Sequence, residues 1–176
     1  MLAEPSLVAQ QARREVAHAE PLQVVVVDQS PIGTTPASVP ASYVEVLTPI
    51  RDLFASTPQA KMKGFRSGRF SFNVADGRCA DCEGKGQVKV EMHFLADVWI
   101  TCETCRGKRY DAETLAIRYR DRNMADVLAM EAKDALEFFG NHARIRAIVQ
   151  TMVEVGLGYL QLGQPATTLS GAKRSA

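Results

Sequence analysis

Apolar residues fall at helical spacing most clearly near the C-terminal end of the chain. Ile145, Ile148, Val149, Met152 and Val153 share one face, which predicts a core-facing helix over 142–155, ended by Gly156 and Gly158. A second helix is predicted over 124–139 and a third over 43–55, where Pro49 implies either a break or a start with Thr48 as cap. The alanine-rich stretch 7–19 reads as a helix with Ser6 before it and Pro21 after it. Alternation takes over in the middle. Val88, Val90 and Met92 alternate with Lys89 and Glu91, predicting strands over 87–90 and 92–100. Shorter strands are predicted over 69–74 and 114–119, with a turn at Asp121, Arg122 and Asn123. The run 22–27 is nearly all apolar and suits a strand covered on both faces. It ends at Asp28, Gln29, Ser30 and Pro31, where ligand contacts often gather, although these residues can equally just turn the chain. Residues 31–42 and 61–69 read as loops.

Composition narrows this picture a little. The chain has 176 residues, 46% of them hydrophobic, and a formal net charge of +1. That suits one globular domain with or without a small module, and argues against wholesale disorder. Charge is uneven: residues 61–120 hold 12 Lys and Arg against 8 Asp and Glu. Such an excess fits either a polyanion-facing surface or an ordinary solvated face. No signal peptide is visible, and the longest apolar run, the valines 24–27, is far too short to span a membrane. The expected location is the cytoplasm, with no membrane partner, where thiols stay reduced.

The strongest signal is the cysteines. All four lie in two Cys-x-x-Cys pairs, Cys79 with Cys82 and Cys102 with Cys105. Two such pairs at this separation form a recognised zinc pattern. Each gap lets both thiolates of a pair turn toward one point, and two pairs complete a tetrahedron. Gly84 and Gly107 follow the pairs and permit the positive φ of a tight knuckle. With four protein ligands no position stays open, so the expected ion is one structural Zn²⁺ per chain. The insert between the pairs is expected to form a hairpin carrying Lys85, Lys89, His93 and Trp99, a basic and aromatic mix that fits either contact with nucleic acid or a purely structural hairpin. Lys85, Lys89, Arg106, Lys108 and Arg109 are the candidate DNA contacts. His18, His93 and His142 complete no ligand set, and neither a P-loop nor a hydrolase or metalloprotease motif occurs.

Seven further stretches stand out in order: residues 27–33 (VDQSPIG), 48–54 (TPIRDLF), 68–74 (GRFSFNV), 88–95 (VKVEMHFL), 107–110 (GKRY), 155–159 (VGLGY) and 162–171 (LGQPATTLSG). Together they resemble the C-terminal half of the UvrA family, ABC-type ATPases that recognise damage in bacterial nucleotide excision repair. The resemblance runs from about residue 23 to residue 171. It implies an α+β chain: a helical ABC signature-type domain with an inserted small β-rich four-cysteine zinc module, within an incomplete ABC ATPase half. The divisions it implies are an N-terminal helix over 1–21, a Q-loop segment and the start of the signature domain over 22–68, the zinc module over 69–120, helical signature domain over 121–171 and a divergent tail over 172–176. By the same resemblance Gln29 matches the Q-loop glutamine beside Mg²⁺ and the γ-phosphate. Ser170 and Gly171 open the ABC signature that meets nucleotide held by an opposite half. ATP and Mg²⁺ are then expected only in a complete UvrA-type dimer. The implied partners are DNA, UvrB and a full-length UvrA.

The departures are specific. The family reads Gly-Arg-Thr-Pro-Arg-Ser-Asn where this chain has Gly33, Thr34, Thr35, Pro36, Ala37, Ser38 and Val39. The signature stops matching after Gly171, and neither Walker A nor Walker B is present, so no ATP hydrolysis by the chain alone is expected. A signature-plus-zinc fragment or truncated paralogue fits this, and a non-functional remnant is a competing reading. A third is a DnaJ-like chaperone module: residues 79–86 fit its Cys-x-x-Cys-x-Gly-x-Gly repeat, but the second pair has Arg109 where the last glycine belongs. That family uses four repeats and two zinc ions, so metal stoichiometry separates the two.

Overall fold

The structure is a computed structural model that describes residues 33, 35–92, 94 and 97–169. The helix expected over 7–19, the strand over 22–27, and Gln29, Ser170 and Gly171 lie outside the described residues.

Helices make up most of the regular structure of the described residues. Helix α1 is Pro40–Tyr43, α2 Leu47–Ser56 and α3 Pro58–Met62, followed by a 3₁₀ turn at Ser67–Phe70. Strands β1 (Gln87–Val90) and β2 (Val98–Thr101) form an antiparallel hairpin. Then come α4 (Ala112–Leu115), α5 (Met124–Ala129), α6 (Ala132–Phe138), α7 (Ala143–Glu154) and α8 (Ala166–Leu169).

Local chemistry sets the helix starts. Thr57 caps α3 by accepting the Ala60 amide, with Pro58 in the first turn. Asp111 caps α4 through the Thr114 amide at 2.7 Å. Asn123 and Asp126 close a reciprocal capping box on α5, at 3.0 and 2.9 Å. The apolar faces then meet in one core. Leu47, Ile50 and Phe54 of α2 are buried with Ile145, Val149 and Met152 of α7, around Phe70, Phe72, Ile117, Met124 and Phe139. Ile148 and Val153, predicted on the same face of α7, are half-buried at its margin.

Four predicted elements change form. The strand expected over 69–74 is the 3₁₀ turn and its exit: Phe70 and Phe72 are both buried, and Arg69 lies 4.4 Å over the Phe65 ring. The strand expected over 114–119 opens as α4, because the Asp111 cap nucleates a helical turn. Arg120 and Asp121 then take left-handed φ values of 46° and 62° and turn the chain between paired Tyr119 and Arg122. The helix expected over 124–139 is split at Met130 and Glu131. Backbone there is extended and pairs with residues 160–162, the Leu162 amide donating to the Met130 carbonyl at 2.9 Å. The strand expected over 92–100 is shorter, starting at Val98.

The departure at position 39, where the resemblance implies asparagine, falls at a helix start. Val39 occupies the N-cap of α1, where no side-chain hydrogen bond is made, and is buried instead.

Candidate metal centre

The two cysteine pairs fold as near copies of one another. After Cys82, Glu83 and Gly84 adopt φ of 49° and 78°; after Cys105, Arg106 and Gly107 adopt 49° and 80°. Four residues past the second cysteine of each pair, Gly86 and Arg109 again match, at 72° and 71°. Matching bonds close each turn, Lys85 N–H to the Cys82 carbonyl and Lys108 N–H to the Cys105 carbonyl, both 2.9 Å. The copies also clasp each other. The Cys79 amide donates to the Arg109 carbonyl at 2.8 Å, and the Cys102 amide donates to the Gly86 carbonyl at 3.0 Å. Thr104 adds a side-chain bond to Asp81 across the pair. The result is an approximate two-fold arrangement, with the β1–β2 hairpin joining its halves.

That arrangement points four sulfurs inward. All four cysteines are buried and unoxidised, and their Sγ atoms lie within 4.8 Å of one another. Cys82 and Cys105 are 3.5 Å apart, Cys79 and Cys102 4.0 Å. A disulfide would need about 2.05 Å. Sulfurs bonded to a tetrahedral ion at about 2.3 Å sit about 3.8 Å from one another, so the donor set and spacing fit a four-cysteine metal site. The Gly86 amide donates to Cys82 Sγ at 3.2 Å, the kind of contact that stabilises thiolate charge. Without an ion, burial dominates: it pushes the Cys82 thiol up to about 12 and raises Cys105 too. Cys102 is lowered, chiefly by the amide of Cys105. A bound cation would hold such a cluster as thiolates.

The structure brings four of the five candidate cations together. Lys85, Arg106, Lys108 and Arg109 line one groove of about 310 Å³ with Gly86, Gly107 and the α5 residue Ala125, and no acidic side chain lines it. Arg106 and Lys108 are exposed; Lys85 reaches Glu83 at 2.9 Å. Lys89 sits apart on the hairpin, paired with Asp97 at 2.6 Å, an ion pair that lowers the Asp97 carboxyl and raises the lysine. Arg109 is the most buried of the four in the groove. Only 5% exposed, it hydrogen-bonds the carbonyls of Pro36, Gly84 and Gly163 at 3.0, 3.3 and 3.2 Å and lies 5.1 Å over the Phe72 ring. With three of its five N–H donors held by backbone carbonyls, this guanidinium is a structural bolt in the groove wall. The sequence did hold a signal: Arg109 stands in the repeat where the first knuckle has Gly86.

On the hairpin, Val88 pairs with Ile100 and Val90 with Val98 on one face, while Lys89 pairs with Trp99 on the other. Phe94, near the tip, is almost fully exposed.

A two-knuckle, four-cysteine metal module built into a small helical domain is the class these features define. The chain matches a segment of UvrABC system protein A. It is 61% identical over 151 residues to that protein of Methanothermobacter thermautotrophicus, covering 86% of this chain and 16% of the relative. The Listeria monocytogenes protein is 55% identical over 161 residues, covering 91% and 17%. The crystal structure of UvrA2 from Deinococcus radiodurans superposes with a TM-score of 0.80 at 52% identity, over 84% of this chain and 18% of that one. The chain therefore spans about a sixth of the length of these relatives. No family model matches it. All four of its cysteines lie in one cluster, unlike the two-site chaperone pattern.

Proposed function

We propose that this chain is the zinc-bearing, DNA-contacting segment of a UvrA-type ABC ATPase acting in damage recognition during nucleotide excision repair. The observation that carries the reading is the buried four-cysteine cluster with a basic groove beside it, inside a segment 61% identical to UvrABC system protein A. One structural Zn²⁺ per chain holds the two knuckles together, with Cys79, Cys82, Cys102 and Cys105 as ligands. Lys85, Arg106 and Lys108 meet DNA phosphates, and Lys89 extends the contact along the hairpin. The helical part, from about 121 to 171, serves as the signature domain. Gln29, Ser170 and Gly171 act on nucleotide only in a complete dimer, with ATP, Mg²⁺ and an opposite half. The sequence contains no Walker A or Walker B motif, so the chain alone does not hydrolyse ATP. UvrB and a full-length UvrA are the protein partners of this reading, and the cytoplasm is its location. Among the described residues no helix is long and apolar enough to cross a membrane.

The test pairs metal content with salt-graded DNA binding. Elemental analysis of chelator-washed, refolded chain is expected to give about one zinc per chain. Fluorescence anisotropy on duplex DNA is expected to show affinity falling with salt. Replacing Lys85, Arg106 and Lys108 together by alanine should lower the log–log salt slope by about 2 to 3, near 0.9 per lost phosphate contact. An unchanged slope in a variant that still holds its zinc would overturn the groove's role.

A further inference from the structure

Two buried side-chain polar atoms among the described residues have no hydrogen-bond partner, Ser42 Oγ and Arg51 Nε. Both residues line one groove of about 340 Å³, together with Glu45, Thr48, Asn73 and Arg144. None of its lining residues belongs to the knuckle groove. Arg51 makes one hydrogen bond, to Thr48 Oγ1 at 3.1 Å, and Arg144 is exposed. Among the described residues no carboxylate lies within ion-pair distance of either guanidinium. Arg69 shows the contrast: it gathers Asp76, Asp111 and Glu113 within 3.1 Å. Glu45 is the one acidic side chain in the groove wall, exposed and at a left-handed φ of 60°. The first turn of α2, which borders the groove, carries no acidic residue.

Two guanidiniums and a hydroxyl in one wall, with donors lacking acceptors, call for a ligand that supplies several oxygen acceptors and negative charge. We propose that this groove binds an oxyanion of the phosphate class between Arg51 and Arg144, with the Ser42 hydroxyl as a further donor. Guanidinium forks match tetrahedral oxyanions through paired N–H···O bonds. The ligand neutralises the net positive charge that Glu45 leaves uncompensated. Its source is either a free phosphate group or the phosphodiester of a nucleic acid, and the chemistry at the groove is the same for both.

The Arg51 Nε–H resonance reports on this directly. The full chain, zinc-loaded and labelled with nitrogen-15, is titrated with inorganic phosphate at ionic strength held constant with chloride. The expected result is a saturable shift of the Arg51 Nε–H cross-peak. Arg144→Gln, a surface change, should weaken the dissociation constant at least about fivefold, and Glu45→Gln should tighten it. Ser42→Ala should weaken binding less. Helical circular dichroism matching that of the parent chain confirms that each variant is folded. A shift that is linear in phosphate, or a dissociation constant unmoved by both Arg144→Gln and Glu45→Gln, overturns the proposal. A second titration uses an eight-nucleotide oligothymidylate. Saturation at lower concentration than inorganic phosphate assigns the site to a nucleic-acid backbone. Response to inorganic phosphate alone assigns it to a free phosphate group. Silence to both overturns the site, whatever happens at the knuckle groove.

Discussion

Gly84 and Gly107 hold the same left-handed backbone, at φ of 78° and 80°, in different surroundings. A Cβ on Gly84 would run into the Phe72 carbonyl oxygen, whereas the nearest atom to one on Gly107 is Thr101 Cγ2 at 3.8 Å. Gly107→Ala therefore meets only the backbone cost of a left-handed residue, about 1 kcal/mol. Gly84→Ala must also displace buried main chain, and its loss should be several-fold larger. Urea unfolding of the two zinc-loaded variants checks this; equal losses would mean that the knuckles' surroundings do not matter. Tyr110 provides a second residue-scale test. Its hydroxyl donates to the Phe70 carbonyl at 2.9 Å, and burial pushes the phenol above its ordinary value of 10.0. The folded state thus favours the neutral phenol, while the unfolded chain ionises above about pH 10. Its contribution is full below that pH and is lost as pH rises beyond it. Tyr110→Phe should be less stable at pH 7 by about 1 kcal/mol, and should lose less stability between pH 10 and 11.5. Parallel pH profiles from denaturant titrations would contradict the assignment.

At the scale of elements, helix α5 is six residues long and depends on its cap. Asn123 is buried, accepts the Asp126 amide and receives the Asp126 carboxylate on its own amide. Asn123→Ala removes one acceptor and leaves its partner unsatisfied, so a loss of about 1 to 2 kcal/mol is expected, measurable as a lower urea midpoint at unchanged slope. The same region shows what periodicity conveys. The spacing of Ile145, Val149 and Met152 marks α7 to within a residue at each end, because one face of that helix meets the core along its whole length. Residues 124–139 carry a continuous helical pattern too, yet Met130 and Glu131 pair with residues 160–162 instead. A pairing partner thirty residues away leaves no trace in local spacing. The knuckles were legible because their chemistry is local: Cys-x-x-Cys followed by glycine specifies both the turn and its ligands. The burial of Arg109 was not legible, for the opposite reason. Its three carbonyl acceptors come from residues 36, 84 and 163, which only the folded chain brings together.

At the scale of the whole molecule, the described residues form two centres of cohesion. One is the helical core; the other is a buried cluster made of the four cysteines alone. They meet where Arg109 and Tyr110 leave the second knuckle and where Arg69 bonds Asp111 and Thr114. The cysteine cluster buries too little apolar surface to hold itself together, and an isolated two-stranded hairpin is marginal in water, so the proposed zinc would supply its stability. The helical core needs no such ligand. Chelation should therefore change the environment of Trp99 on β2 while most of the helical circular dichroism persists. Acid should act as a chelator does, since binding requires thiolates: zinc affinity falls as pH falls, by up to about tenfold per pH unit for each proton taken up. Burial, which raises Cys82 and Cys105, makes protons strong competitors there. Zinc release to an indicator dye between pH 8 and 5, followed with Trp99 fluorescence and far-ultraviolet circular dichroism, tests the division. Loss of Trp99 signal and zinc together, ahead of the helical signal, is the expected result. Simultaneous collapse of all three would mean that the core depends on the ion, and that Arg109 and Tyr110 bind the two centres into one cooperative unit.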